Sequence, residues 1–288
     1  MFAHTNPAEH VAIAAVGCAA VALYGWAWLH LPDSRRRTWR LWSWAGGVVA
    51  LAVSTSSPVE RIANESFTGH MVQHLLMIVV AAPLLVLARP VRTFADGLAS
   101  GHGTTSTERR VARWWRTAGT VIAPGAFLAV LFVTHLTGIY DEALGNRWVH
   151  DAEHLAYLLA AVALWAVVCS AGQANAPGRV AGVFAVIGGS ALLGVVLLTA
   201  SSPLMDTYAR SLGTPDALDD QRAAASLMWV GGMAISLPLL VTAVWRWAAT
   251  EQRIAERAEQ LESASASTPP ATLPITRSAT RNMEPGAP

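Results

Sequence analysis

The sequence predicts an all-α, polytopic membrane protein with seven transmembrane helices, its N-terminus outside and its C-terminus in the cytoplasm. Three observations carry this. The 288 residues are 53% hydrophobic and only 14% charged, well below the roughly 25% charged of soluble domains. Seven apolar segments approach the roughly 20 residues that a helix needs to cross the hydrocarbon core. The basic residues, all of them arginine, fall on alternate connections: sixteen of twenty lie in 31–40, 89–117, 170–179 and from 246 onward. Arg61, Arg147, Arg210 and Arg222 are the four on the other side. That bias sets the orientation, because cytoplasmic connections retain positive charge.

The segments follow in order. The first span covers 11–29. Arg35, Arg36 and Arg37 come after it, where a secretory signal would carry its charge ahead of the apolar run, so a retained helix is expected. The second span, 41–55, ends at Ser56, Ser57 and Pro58. The third, 70–88, has its polar residues at one end only, and Pro83 in mid-span favours a kink. A long polar loop is expected over 91–117, flexible around its Gly/Ser/Thr run at 100–107.

The fourth span covers 121–136, with Pro124 near its inner end, and the fifth covers 149–169. The sixth, 180–199, holds Gly182, Gly188, Gly189 and Gly194, small residues that let helices approach closely in lipid. The seventh covers 223–247. The expected domains are therefore a seven-helix transmembrane unit over 1–247, a cytoplasmic helical extension over 248–262 and a disordered tail over 263–288. That tail is rich in Ser, Thr, Pro and Ala.

The polar residues inside these spans carry the functional signal, since ionisable groups are costly there. His70 and His74 are spaced i, i+4 and share one helical face, at the outer end of the third span. His150 and His154 repeat that spacing at the outer end of the fifth, and His135 ends the fourth. Asp220 stands at the outer mouth of the seventh span, with Met228 two turns below it. A lone histidine at a helix end is most often an interfacial structural residue. Five from three helices on one side point instead to a shared metal site. Imidazole suits copper, zinc or iron, and thioether sulfur shifts the choice toward cuprous copper. The metal candidates are thus His70, His74, His135, His150 and His154, with Asp220 and Met228 behind them. Glu153 and Asp151 flank a histidine pair and are placed to orient its rings.

Other classes find little support. There is no nucleophile motif, phosphate loop or basic–aromatic pattern for nucleic acid. The tryptophans gather at span ends, as in an interfacial belt.

These residues resemble a known family. The carriers are Ser57-Pro58, then Phe67, His70-Met71 and Gln73-His74, then Ala82-Pro83-Leu84 and Pro90. They continue in His135, Tyr140-Asp141, Asn146, His150, Glu153-His154, Trp165, Asp220-Gln221 and Met228-Trp229. The pattern spans 51–247 and is similar to that of CtaG, the bacterial multispan assembly factor of caa-type cytochrome c oxidase. Where that family usually has a glycine before Met228-Trp229, this chain reads Ala223-Ala224-Ala225.

The resemblance implies an assembly factor for haem-copper oxidase in the bacterial plasma membrane, not an enzyme, that handles copper at the outer face. It implies the oxidase, through its catalytic subunit, as protein partner beside the lipid bilayer. Two alternatives stay open on the residues alone. One is a haem-binding b-type membrane cytochrome with axial histidines. The other is a metal-dependent membrane hydrolase with Glu153 as its base.

Overall fold

The computed structural model describes residues 7–98, 106–169 and 175–267. Among these the chain is helical, with no strand. It divides into two units, Met1–Trp247 and Ala248–Pro288.

In the first unit, α1 (Pro7–Leu29) and α2 (Thr38–Ser54) pack side by side, and α2 lies along the segment that follows. That segment begins with α3 (Ser57–Glu65) and α4 (Phe67–Leu75), passes through a π-helical stretch (Leu76–Ala81), and ends in α5 (Ala82–Leu87) and α6 (Pro90–Leu98). Then come α7 (Ser106–Leu136), α8 (Ile139–Gly145), α9 (Arg147–Val168), α10 (Ala176–Thr199), α11 (Asp206–Leu212) and α12 (Thr214–Ser267).

Among the described residues, six helices are long and apolar enough to cross a membrane: Val11–Leu29, Phe67–Gly97, Thr117–Leu136, Arg147–Val168, Ala176–Thr199 and Thr214–Ser263. The expected second span is α2, which has 17 residues. At 1.5 Å per residue that is about 25 Å, short of a core of about 30 Å.

The connections hold more structure than the sequence suggested. The supposed loop over 91–117 contains α6 and the first turns of α7, while its residues 99–105 lie outside the described set. Pro90 opens α6 because a first-turn proline gives up only an amide that would be unpaired anyway. Three further connections fold into α3, α8 and α11. In the second unit the helix continues to Ser267, so 263–267 of the expected disordered tail are helical and the remainder lies outside the described residues. Residues 251–263 are solvent-exposed, and Gln252 Nε2 meets Glu256 Oε1 at 3.3 Å along this helix.

Pro83 has a definite consequence. It has no amide hydrogen for the carbonyl four residues back, and the chain widens just before it: the Ala82 amide donates to Met77 O, five residues back. The altered register frees Ile78 O, which accepts a 2.8 Å hydrogen bond from Trp165 Nε1 of α9. In an apolar interior such a carbonyl must find a partner. Glycine sets two close approaches: a Cβ at Gly69 would strike the backbone of Ile62 in α3, and one at Gly182 would lie 2.8 Å from Pro124 Cγ of α7.

Candidate metal centre

The site starts at the N-terminus of α4, which two residues fix. Ser66 accepts from the Gly69 amide at 3.0 Å. Asp220, brought over by α12, accepts from the Phe67 amide at 2.6 Å and the Thr68 amide at 3.2 Å. Thr68 Oγ1 returns a bond of 3.1 Å to Asp220 O. A carboxylate at a helix N-terminus meets both the unpaired amides and the positive end of the dipole. One turn on, Gln73 Nε2 donates to Ser54 O of α2 at 2.8 Å. These contacts pin α4 along its axis and in rotation, so its one remaining polar face turns inward.

That face carries His70 and His74, both buried, with their Nε2 atoms 3.1 Å apart. From α9, His154 joins them: its ring centroid lies 5.2 Å from that of His74 and 6.0 Å from that of His70. One nitrogen from each of the three can be chosen so that all lie within 4.8 Å of one another. Metal–nitrogen bonds of about 2 Å let one ion reach nitrogens about 4 Å apart, so small side-chain rotations close the set. His150, one turn before His154 on α9, packs against it in a tilted arrangement at 4.0 Å between centroids, and its centroid lies 5.8 Å from that of His70. It is only half-buried and stands at the mouth.

The polar atoms here are poorly matched with one another. His70 Nδ1, His74 Nδ1 and His154 Nε2 are buried without hydrogen-bond partners, as are both carboxylate oxygens of Glu153. Glu153 Oε2 lies 4.0 Å from His70 Nε2, with its side chain 1% exposed. A buried carboxylate with no donor is expensive unless a cation or proton joins it. Unpaired imidazole nitrogens beside it form a donor set that a cation would satisfy, and buried polar groups of this kind call for such an explanation.

Three expected candidates take other places. His135 does not join the group. Its Nδ1 bonds Leu131 O at 2.9 Å and contacts Thr134 Oγ1 and Tyr157 OH, each at 3.2 Å. Its Nε2 is buried and unpartnered. His135 and Met228 instead line a cavity of about 90 Å³ that starts at His74 and is walled by Met71, Ile78, Phe127, Tyr157 and Trp165. Asp220 is a cap for α4 rather than a neighbour of the rings, because both its oxygens are occupied by backbone amides.

Asp151 is exposed and lies 3.7 Å from Arg147 and 3.9 Å from His150. The group therefore comes from two helices, α4 and α9, with Glu153 as its acidic member. Sequence reasoning singled out Gln73, Gln221 and Asp141 only as carriers of the family resemblance and missed their role as anchors. Gln221 donates to Leu197 O at 2.9 Å and accepts from the Leu204 amide at 2.8 Å. Asp141 caps α11 through the Asp206 and Thr207 amides at 3.2 and 2.9 Å. Over the mouth, Tyr208 OH donates to Ala63 O at 2.6 Å. Burial raises the Tyr140 and Tyr208 phenols above their usual range, so both stay neutral.

The family described as cytochrome c oxidase caa3 assembly factor (Caa3_CtaG) matches residues 22–250, and the chain belongs to it. The uncharacterized protein Mb0105 of Mycobacterium bovis is 26% identical over 263 residues, covering 86% of this chain and 39% of that protein. The uncharacterized protein ML1998 of Mycobacterium leprae is 28% identical over 248 residues, covering 77% and 37%. The chain thus spans about two-fifths of the length of these relatives. No solved structure matches it.

Proposed function

We propose that this member of the caa3 oxidase assembly factor family binds copper at the outer face of the bacterial plasma membrane and delivers it to the catalytic subunit of cytochrome c oxidase. The observation that carries the proposal is the cluster of His70, His74 and His154, with nitrogens that lack partners, beside the unpaired carboxylate of Glu153. Copper is the cargo here, not a resident cofactor. Three neutral imidazoles and one carboxylate offer N and O donors, and copper heads the affinity order for such sets.

The protein's own groups do the rest. Asp220 and Gln73 hold α4 so that two rings face α9. Glu153 supplies a negative charge that offsets the cargo. His150, half-buried at the mouth, stands where an ion would exchange with a partner. His135 and Met228 form the far wall beyond His74 and serve as auxiliary contacts. The role is transfer rather than catalysis. Two imidazole nitrogens 3.1 Å apart leave no slot between them for a porphyrin, which argues against the haem alternative. The arginine distribution supports seven crossings in all, with α2 as the shortest, the N-terminus outside and the C-terminus in the cytoplasm.

The test is complementation. In cells lacking the protein, the wild-type chain is expected to restore copper to the oxidase and with it oxidase activity. The variant H70A/H74A/H154A, expressed to the same level, is expected to leave the oxidase copper-poor. Equal restoration by the variant would refute the proposal.

A further inference from the structure

The stretch that begins with His70 ends in a corner that copper handling does not use. Arg89 follows α5 in a left-handed backbone conformation (φ 54°), and Pro90 then opens α6. Tyr24 of α1 holds this corner: its OH donates to Ala88 O at 2.7 Å and lies 3.3 Å from Thr93 Oγ1. Gly97 brings α6 against α1, where a Cβ would sit 2.5 Å from Ala27 O. The α1–α2 turn joins in, with Arg35 reaching Asp96 at 3.1 Å.

The charges of this corner do not balance. It holds Arg35, Arg36, Arg37, Arg40, Arg89 and Arg92 against Asp33 and Asp96. Asp96 is taken by Arg35, and Asp33 by Arg36 at 3.0 Å. Arg89 and Arg92 flank the start of α6, and Arg40 lies in the first turn of α2, which packs against α5. Among the described residues no carboxylate pairs with Arg40, Arg89 or Arg92. Arg40 Nε is buried with no hydrogen-bond partner, and its guanidinium carbon lies 5.6 Å from the Trp39 ring centroid. Like charges held together repel, more so where water is partly excluded, and an anion between them removes the repulsion. Guanidinium groups match phosphate in shape and hydrogen bonding. Beside them Trp42 and Val91 are 74% and 81% exposed, an apolar flank that a free anion would leave uncovered and acyl chains would cover.

We infer that Arg40, Arg89 and Arg92 bind the headgroup of an anionic phospholipid, with preference for one that carries two phosphates. The two phosphodiesters face the three unpaired guanidinium groups of Arg40, Arg89 and Arg92, and the acyl chains lie along Trp42 and Val91. A basic pocket between spans at the membrane surface is the usual form of such a site. It is independent of the histidine cluster.

The full chain, purified in neutral detergent, is titrated with diphosphatidylglycerol, phosphatidylglycerol, phosphatidylcholine and sodium pyrophosphate. Bound lipid is counted by native mass spectrometry. Diphosphatidylglycerol is expected to bind tightest and phosphatidylcholine not to saturate. R40Q/R89Q/R92Q is expected to lose the preference, at roughly fivefold in affinity for each arginine removed. If the triple variant does not fold, Arg92→Gln alone, on an exposed residue, shows the single fivefold step. R61Q/R210Q, at the opposite end of the spans, is expected to bind lipid as wild type does. Equal binding of phosphatidylcholine, an equal loss in R61Q/R210Q, or pyrophosphate competing as well as the lipid would each overturn the assignment. Copper binding is expected to be unchanged in R40Q/R89Q/R92Q, so failure here and failure of the copper reading are distinguishable.

Discussion

Replacing Asp220 by Asn separates two roles that the sequence alone could not. Both carboxylate oxygens accept backbone amides at the start of α4, from Phe67 at 2.6 Å and Thr68 at 3.2 Å. Asn keeps the shape but turns one acceptor into a donor that faces an amide hydrogen. One charge-assisted hydrogen bond goes, at about 1.5–3 kcal/mol, and one amide is left unsatisfied, at about 1–3 kcal/mol. A smaller loss of about 0.3–1 kcal/mol comes from removing the charge at the helix end.

These overlap, so the expected destabilisation is about 2–4 kcal/mol. It is read as a shift in the denaturant midpoint of the purified chain in detergent, at constant m-value. Copper affinity, measured where the variant is still folded, is expected to change less than stability does, because Asp220 touches none of the rings. The opposite pattern, unchanged stability with copper affinity down tenfold or more, would make Asp220 a ligand and refute its role as a cap.

Other substitutions have graded outcomes. Glu153→Gln removes the charge beside His70 while keeping its size, and copper affinity should fall about 10–100-fold without being abolished; a chelator competition titration reads this. His135→Ala should weaken copper binding less than His70→Ala, because its Nδ1 is committed to Leu131 O at 2.9 Å and it stands outside the three-ring group. Trp165→Phe leaves Ile78 O unpaired beside the π-helical stretch and should cost about 1–3 kcal/mol in thermal or denaturant stability. Copper affinity should also weaken as pH falls from 7.5 to 5, since protons compete with the ion for the buried carboxylate of Glu153; a pH-independent affinity would contradict ligation by that group.

Much of the fold was legible because lipid leaves the chain few choices. Long apolar runs must be helices, and the arginines mark one side of them. The i, i+4 pairs at His70/His74 and His150/His154 placed two helices at the candidate site, since that spacing always puts both rings on one face. What stayed hidden depends on distant contacts. Asp220 reads as a metal candidate at the mouth of the last span until α12 carries it to the α4 N-terminus. His135 sits at the right depth, yet Thr134 and Tyr157 turn its Nδ1 away from the other rings. The π-helical stretch needs both Pro83 and the indole of Trp165, 87 positions away, to be stable. The helices α3, α8 and α11 are short and owe their order to packing rather than to apolar length, so a reading based on span length passes over them. The Gly/Ser/Thr composition near 100–107 likewise masked the amphipathic helix that precedes it.

The most direct test is X-ray absorption spectroscopy on the purified chain loaded with one equivalent of cuprous ion. A nitrogen/oxygen shell near 2 Å with outer-shell scattering from three imidazoles, reduced to two in His154→Ala and lost in H70A/H74A/H154A, is the predicted result. A copper environment that is the same in all three proteins, or no retained copper in the wild type, would contradict the account.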